Sequence, residues 1–350
     1  MFRSLAVLVF AASAIAPARA APSAAAQRDA AACTTITDDA KRLACYDGAL
    51  RPRAAPAAAA EKVFAHEPPP AADSVEARAS PLDRRWELDP KLKHEQGPFH
   101  IRAYRPVYLL PAFWTSDINH NPHSPAPGHD ATEPRNLDAL EAKYQISLKT
   151  KVWQDIFGDN GDLWMGYTQV SHWQVYNAGE SRPFRETTYE PDATLMFRTN
   201  YDVLGWDGRL FGVGLDHQSN GRSNPFSRSW NRVMFDIGLD REGWVLMLRP
   251  WWRISETRDV DDNPDIEDYI GRGDIMLTRL WNGHEITLLV RHSLRGGDRS
   301  HGALELDWAF PIAEELRGHV QLFDGYGESL IDYNHRAWYF GLGVSLLEWY

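Results

Sequence analysis

The sequence predicts an all-β fold: a twelve-stranded antiparallel transmembrane β-barrel, preceded by an Ala/Pro-rich N-terminal extension that carries a short helix. Three observations lead to this fold class. Strand-like segments of about ten residues, separated by turn residues, follow one another from residue 97 onward. Several of these segments alternate apolar and polar side chains, as a wall between lipid and water requires. Short and longer connections also alternate, which is typical of outer-membrane barrels.

The side-chain alternation is clearest towards the C-terminus. In the segment 304–310, two leucines, Trp308 and Phe310 alternate with Glu305 and Asp307. Successive side chains of a strand point to opposite faces, so one face of this segment is apolar and the other charged. Strands are predicted at 101–113, 141–153, 163–177, 189–201, 208–220, 228–240, 243–255, 268–281, 284–294, 301–312, 315–326 and 334–350.

The connections between these strands assign the two ends of the barrel. Short turns at 204–207, 241–242, 282–283 and 313–314 are expected on the periplasmic side. Longer loops at 115–140, 178–188, 221–227, 256–267 and 327–333 are expected outside the cell. The loop 221–227 therefore lies outside, and the strand ends that flank it lie near the outer rim.

The chain begins with features of export. Residues 1–20 combine a basic start, a short apolar run and an Ala18–Arg19–Ala20 site, which predicts a cleaved secretory signal peptide. Residues 21–95 form the extension, and residues 96–350 the barrel domain. No later run approaches the roughly 18 apolar residues of a spanning helix. An exported chain of this kind can be soluble in the periplasm, secreted or a membrane β-barrel, and the strand pattern favours the outer membrane.

The extension contains the two cysteines of the chain, Cys33 and Cys45. In an oxidising compartment, such a pair is expected to form a disulfide. Ile36, Ala40 and Leu43 fall on one helical face between them, so the sequence predicts a short helix closed by this bridge.

Charge excludes one class of partner. The chain has 37 basic and 48 acidic residues, a net charge of -11, and no clustered basic surface. Nucleic-acid binding needs such a surface to neutralise phosphates, so no nucleic-acid partner is expected.

One stretch, residues 216–232, carries the chemistry. His217 and Ser219 continue the apolar face of one predicted strand, and Asn231 lies on the apolar face of the next. Serine, histidine and a polar group that orients the ring are the side chains used in nucleophilic acyl transfer. The sequence predicts a catalytic triad on the lipid-facing wall. A His-x-Ser pair is also common in inert strands, so a passive barrel stays an alternative.

The loop after Ser219 offers groups that stabilise negative charge. The amide of Gly221 is a candidate oxyanion donor. Hydroxyls and backbone carbonyls around Arg222 and Ser227 are hard oxygen ligands, which favour calcium.

Two other clusters are weaker candidates. His120, His123 and His129 lie in a Pro-rich loop, where a soft metal site is conceivable and a solvated loop is the simpler interpretation. Four aspartates form an acidic run that suggests a second cation site or, more simply, a solvated charge run. These are Asp259, Asp261, Asp262 and Asp265. The chain has no G-x-S-x-G elbow, which disfavours an α/β-hydrolase.

The long motif H-Q-S-N-G-R-S-N-P-F-S-R-S-W-N-R at 217–232 resembles the signature of the outer membrane phospholipase A family of Gram-negative bacteria. Supporting segments are S-R-P-F-R-E-T-T-Y-E-P at 181–191, D-D-N-P-D-I at 261–266 and G-Y-G-E-S-L-I-D-Y-N at 325–334. The resemblance covers roughly residues 100–350 and leaves the cysteine-bearing extension outside.

The resemblance implies calcium-dependent hydrolysis of the 1-acyl and 2-acyl esters of phospholipids and lysophospholipids. It makes His217 the base, Ser219 the nucleophile and Asn231 the orienting residue. It also implies a homodimer embedded in outer-membrane lipid, with Gln169 in the dimer contact.

For calcium, the resemblance implies ligands from the Arg222 carbonyl, Ser227 and Ser181 of the partner chain, with Gly221 as the oxyanion amide. Asn224 departs from the acidic residue expected in relatives, which leaves a second, weaker calcium site open.

Two competing functions remain at this stage. A passive barrel, a porin or a structural protein, predicts conductance without lipolysis. A soluble periplasmic β-sandwich esterase predicts solubility without detergent.

Overall fold

The structure, a computed structural model, describes residues 31–50, 79–313 and 316–350. The predicted signal peptide lies outside the described residues. The chain divides into two compact units, Met1–Glu67 and Pro68–Tyr350. None of the helices in the described ranges has the length and hydropathy to cross a membrane.

The N-terminal unit contains the expected short helix. A 3-10 turn, Cys33–Thr35, precedes helix α1, Asp39–Leu50. A disulfide joins Cys33 to Cys45, whose Cα atoms are 5.7 Å apart, within the usual range for this bond. The bridge ties the turn to the helix.

The second unit is a closed antiparallel barrel, as predicted. Its strands are β1 Ile101–Ala103, β2 Val107–Thr115, β3 Leu140–Trp153, β4 Asp162–Trp173, β5 Phe184–Val203, β6 Trp206–Ser219, β7 Ser229–Arg241, β8 Trp244–Ile254, β9 Gly273–Trp281, β10 His284–His292, β11 Gly302–Pro311, β12 Arg317–Tyr326 and β13 Arg336–Leu347. From β2 to β13 each strand pairs with its neighbours in sequence, β1 pairs with β3, and β13 closes the wall against β2.

The first predicted strand is divided in two. Both β1 and β2 pair with β3, so together they form one of twelve wall strands. Between them, Pro106 has no amide hydrogen for the ladder. The amide of Arg105 donates instead to the hydroxyl of Ser147 at 3.1 Å.

Other strand bounds also differ from the prediction. The residues before β9 form helix α4, Ile266–Tyr269, so strand pairing starts at Gly273 rather than 268. At the C-terminus, β13 ends at Leu347, and Trp349 turns into the barrel, where its amide donates to Glu285 at 2.9 Å.

The two faces of the wall carry opposite chemistry. Outward-facing Leu215 is 60% exposed and Trp252 is 73% exposed, whereas inward-facing Arg232 is only 5% exposed. The guanidinium of Arg232 forms ion pairs with the carboxylates of Asp216 and of Glu190, the second at 3.2 Å. Burying a charge is favourable only when it is paired in this way. The outer face is therefore apolar and the lumen is filled with ion pairs.

A cavity of about 180 Å³ lies in the lumen and is lined by charged side chains such as Arg105, Lys143 and Glu305. A twelve-stranded barrel is narrow, and inward charged side chains fill its interior, which weighs against the porin alternative.

Two short helices occupy the periplasmic end of the lumen: α2, Pro81–Trp86, and α3, Pro90–Gln96. Each starts with a proline behind a capping residue, since Ser80 accepts from the amide of Asp83 at 3.1 Å and Asp89 from that of Lys91 at 2.7 Å. The sequence analysis assigned this segment to the extension. The structure instead includes it in the barrel unit.

Apolar contacts and charge interactions hold α2 and α3, together called the plug, in place. Leu82, Trp86 and Leu88 pack into the apolar cluster that the inward face of the wall forms at this end. The ammonium of Lys149 lies 3.2 Å from the centre of the Trp86 ring. Buried Lys93 pairs with Asp155 at 2.9 Å and with Asp162 at 3.1 Å, both near the first periplasmic connection.

Candidate active site

The central contact of the site joins β6 to β7. His217 and Asn231 are directly paired across the two strands, and Nδ1 of His217 lies 2.8 Å from Oδ1 of Asn231. A carbonyl oxygen only accepts, so the ring nitrogen must carry the proton and donate it. Nε2 is then the unprotonated nitrogen, which is free to accept a proton from a serine.

Ser219 lies two residues beyond His217 on β6, on the same outward face. It pairs directly with Tyr189 of β5 and Ser229 of β7. Among the described residues, the hydroxyl of Ser219 makes no hydrogen bond. Gln218, which lies between His217 and Ser219, turns its side chain inward and accepts from Trp230 at 2.7 Å. The strand period thus keeps Ser219 and His217 together and separates both from the lumen.

The loop 220–228 is organised by Asn220, a buried residue that the sequence analysis did not single out. Its amide nitrogen donates to Glu186 at 3.0 Å and to the carbonyl of Phe226 at 2.8 Å. Its oxygen accepts from the amides of Arg222 at 3.3 Å and Arg228 at 3.0 Å. One side chain therefore ties both sides of the loop together.

Gly221 follows at the turn out of β6, with φ at +62°. An added Cβ would strain this left-handed conformation and would lie 3.2 Å from the ring of Tyr189. Glycine is therefore needed here for the backbone to bend sharply beside Ser219.

Two of the predicted oxygen ligands, Arg222 and Ser227, lie in this loop. The hydroxyl of Ser227 donates to Oδ2 of Asp262 at 2.7 Å, which leaves the lone pairs of its oxygen for another partner. The guanidinium of Arg222 donates to the carbonyl of Arg185 at 2.6 Å, which ties this side chain to the start of β5. Ser181 is exposed in the loop before β5, with φ at +60°.

These donors fit a hard cation. Hydroxyl and carbonyl oxygens are the ligands that calcium prefers, and Asp262 supplies a carboxylate directly behind Ser227. Within the described ranges, no group of three or more His, Cys, Asp or Glu side chains could hold a metal ion.

Comparison with known proteins identifies the family. The sequence profile described as phospholipase A1 matches residues 82–346. A phospholipase A1 of Klebsiella pneumoniae is 39% identical over 257 residues, which cover 73% of this chain and 85% of the relative.

The chain belongs to the phospholipase A1 family. It is therefore an enzyme of the phospholipid ester hydrolase class. The start of the profile at residue 82 agrees with the inclusion of α2 and α3 in the barrel unit.

Solved structures give the same answer for the fold. The outer membrane phospholipase A of Escherichia coli superposes with a TM-score of 0.66 at 35% identity, over 75% of this chain and 98% of that one. A Salmonella typhi outer membrane phospholipase, described as a dimer with bound calcium, gives a TM-score of 0.65 at 36% identity, over 73% and 96%. The phospholipase fold and the outer-membrane location follow from these likenesses.

The histidine loop and the acidic run were both most simply interpreted as solvated, and the structure differs from that interpretation for each. The histidine loop is not wholly solvated, because His129 is buried and its Nε2 lies 3.0 Å from Oδ1 of Asp262. His120 and His123 are exposed. No metal site forms among the three within the described residues.

The acidic run is likewise mostly paired. Asp261 accepts from Arg253 at 2.6 Å, and Asp265 accepts from the hydroxyl of Tyr333 at 2.5 Å. Asp262 accepts from Ser227 and, at 3.1 Å, from Ser229. Only Asp259 is fully exposed, and the hydrogen bond from Thr257 lowers its pKa. The run is therefore a structural neighbour of the phospholipase site rather than a solvated surface.

Gln169 lies on the outward face of β4 and belongs to a polar row on the wall. It pairs directly with Tyr189, which pairs directly with Ser219. Its amide oxygen accepts from the hydroxyl of Tyr167 at 3.1 Å, and its nitrogen donates to Ser171 at 3.2 Å. This row makes one side of the outward wall of the phospholipase barrel polar, whereas the outer face is otherwise apolar.

Proposed function

We propose that the protein is a calcium-dependent outer-membrane phospholipase A. It hydrolyses the 1-acyl and 2-acyl esters of phospholipids and lysophospholipids, and it is active as a homodimer. The observation that carries this proposal is the 2.8 Å contact between His217 and Asn231 on the lipid-facing wall, with Ser219 two residues along the same face.

The proposed reaction follows from the residues of the triad. Nε2 of His217 accepts the hydroxyl proton of Ser219 as the serine oxygen attacks the ester carbonyl. The proton then passes to the departing glycerol oxygen, which leaves an acyl-serine. Water, deprotonated by the same ring, attacks this ester and releases the fatty acid. Asn231 holds the ring in the required tautomer throughout.

The amide of Gly221 supports the oxyanion in both steps. A backbone amide aimed at the developing charge is among the largest contributions to acyl transfer. Asn220 fixes the loop that presents it, through its four hydrogen bonds. The conformation of the loop is therefore set before substrate arrives.

Calcium is proposed to be held by the Arg222 carbonyl, the Ser227 hydroxyl and Ser181 of a second copy of the chain. When bound, it supplies positive charge beside the site of reaction, which offsets the weaker support that Asn231 gives compared with a carboxylate. A relative described as a dimer with bound calcium supports both the ion and the assembly. The polar row of Tyr189 and Gln169 supports a dimer contact on this wall.

The location of the triad suits a bilayer substrate. Phospholipid esters lie just below the headgroups, at the depth that a rim-level serine on the outer wall can reach. Leu215 and Trp252 provide apolar surface for acyl chains nearby. A second barrel on this face would enclose those chains between two apolar walls.

Ser219→Ala tests the proposal. Refolded in detergent with calcium, the variant is expected to lose fatty-acid release and to keep its β-sheet circular dichroism, whereas chelator abolishes activity of the native chain. A matched control is Ser300→Ala, since Ser300 forms a serine–histidine contact with His292 at 3.3 Å in an exposed loop without the other groups. Full activity in Ser219→Ala would exclude Ser219 as the nucleophile.

A further inference from the structure

A glutamate lies directly behind Asn231. Ile254, the last residue of β8, pairs with Asn231, and Glu256 follows two residues later. Glu256 lies in the loop just beyond the strand. Its Oε1 accepts from Nδ2 of Asn231 at 3.0 Å.

We propose that Glu256 is a positioning residue for the reaction, an inference that rests on the proposed function. It fixes the amide of Asn231 so that the amide oxygen, rather than its nitrogen, meets Nδ1 of His217. Three adjacent segments each contribute one polar group to this series of contacts: His217 from β6, Asn231 from β7 and Glu256 from the loop just beyond β8.

The reason lies in the near symmetry of an amide group. Rotating the side chain of Asn231 by half a turn exchanges its oxygen and nitrogen, which have almost the same shape. With His217 as its only polar contact, the amide could take either orientation. With Glu256 present, the rotated form would set oxygen against carboxylate and N–H against N–H. Both contacts are unfavourable, so one orientation is selected.

The charge of Glu256 adds to this effect. An anion that accepts from Nδ2 polarises the amide and makes its oxygen a better acceptor for the imidazolium formed in the reaction. A neutral asparagine thereby gains part of the support that a carboxylate gives in other triads.

Asn231 is the hydrogen-bond partner of this carboxylate among the described residues, since the second oxygen, Oε2, has none there. Burial, followed by the nearby charge of Asp261, raises the pKa of Glu256.

Steady-state kinetics of the full chain test the inference. Glu256→Ala is expected to lower kcat by about tenfold or more, the scale of one lost hydrogen bond to a charged group, with KM within about twofold. Glu256→Gln can present its amide oxygen to Asn231 and is expected to recover part of the loss. Asp259→Asn, a fully exposed residue of the same loop, is the matched control and should retain the native rate.

A double-mutant cycle separates positioning from any other role. In an Asn231→Ala background, Glu256→Ala should have no further effect, because its partner is already gone. Equal losses in both backgrounds, or a native kcat in Glu256→Ala, would overturn the inference while leaving the proposed function in place. Native protein without calcium-dependent hydrolysis would instead overturn the proposed function itself.

Discussion

The Nδ1–H of His217 donates to Oδ1 of Asn231 at 2.8 Å, between directly paired positions of β6 and β7. This one hydrogen bond fixes the tautomer of the ring. It leaves Nε2 unprotonated, as a general base for Ser219 must be. Because both residues belong to regular strands, their separation is set by the ladder rather than by a mobile loop.

Asn231→Ala is therefore expected to lower kcat by about 10- to 100-fold, the scale of a hydrogen bond that strengthens as charge develops. KM should change little, since the residue is not placed against substrate. The measurement is the initial rate of fatty-acid release across substrate concentrations. A native kcat in this variant would show that the ring is oriented by other groups.

Asp262→Asn tests the support behind the proposed calcium ligand. The carboxylate of Asp262 accepts from the hydroxyl of Ser227 at 2.7 Å. This hydrogen bond orients the Ser227 oxygen and increases the negative charge on that oxygen. The substitution is expected to raise the calcium concentration for half-maximal activity by about 10- to 100-fold. Saturating calcium should restore most of the native rate.

Asp259→Asn is the matched control for that titration, since it removes an exposed carboxylate from the same loop. It should leave the calcium dependence unchanged. Coincident titration curves for native protein and Asp262→Asn would show that Ser227 needs no such partner.

The wall and the placement of His217, Ser219 and Asn231 could be predicted from the sequence because both depend on a period of two. Alternation alone places His217, Ser219 and Asn231 on faces that also carry Leu215, and the structure has them on one outward face. The register between β6 and β7, which brings His217 opposite Asn231, then follows from the hairpin.

The groups that sequence reasoning missed lie where no period applies. Asn220 acts through loop contacts, and only its position before Gly221, as an Asn-Gly turn pair, could have drawn attention to it. Glu256 lies beyond the end of β8, and its partner is 25 residues away in sequence.

The two helices of the plug were missed by sequence reasoning for two reasons. The Ala/Pro-rich stretch that leads into them, residues 51–81, is typical of a linker, and α2 and α3 are each too short to show helical periodicity. The Ser80–Pro81 and Asp89–Pro90 pairs are nevertheless standard helix-start signals. Apolar Leu82 and Trp86 follow the first of them.

Trp86→Ala measures how much the plug contributes to stability. The side chain is buried, with its ring 5.7 Å from that of Trp164 in an edge-on arrangement and an ammonium on its face. Removing such a ring is expected to destabilise the fold by about 3–5 kcal/mol. Urea unfolding of the refolded protein, followed by tryptophan fluorescence, gives this value.

The specific activity of Trp86→Ala serves as the control for the stability measurement. The plug lies at the periplasmic end and the triad near the outer rim, so specific activity of folded Trp86→Ala should match that of the native chain. Unchanged unfolding in urea would mean that the barrel does not depend on this helix.

The acid side of the pH profile offers a test of the ionised form of Glu256. Burial is the main cause that raises its pKa, with Asp261 and Asp262 adding to it and Arg253 and the Asn231 hydrogen bond opposing. The carboxylate is present above this raised pKa and lost as pH falls through it. The contribution of its charge should therefore disappear at a pH above the ordinary value of 4.5 for a glutamate.

The measurement is the ratio of native kcat to that of Glu256→Gln, taken from neutral pH down to the acid limit of folding. The ratio should be largest at neutral pH, where the native carboxylate is charged, and should fall towards one as it is protonated. A ratio that stays constant across this range would mean that the glutamate acts without its charge, through hydrogen-bond geometry alone.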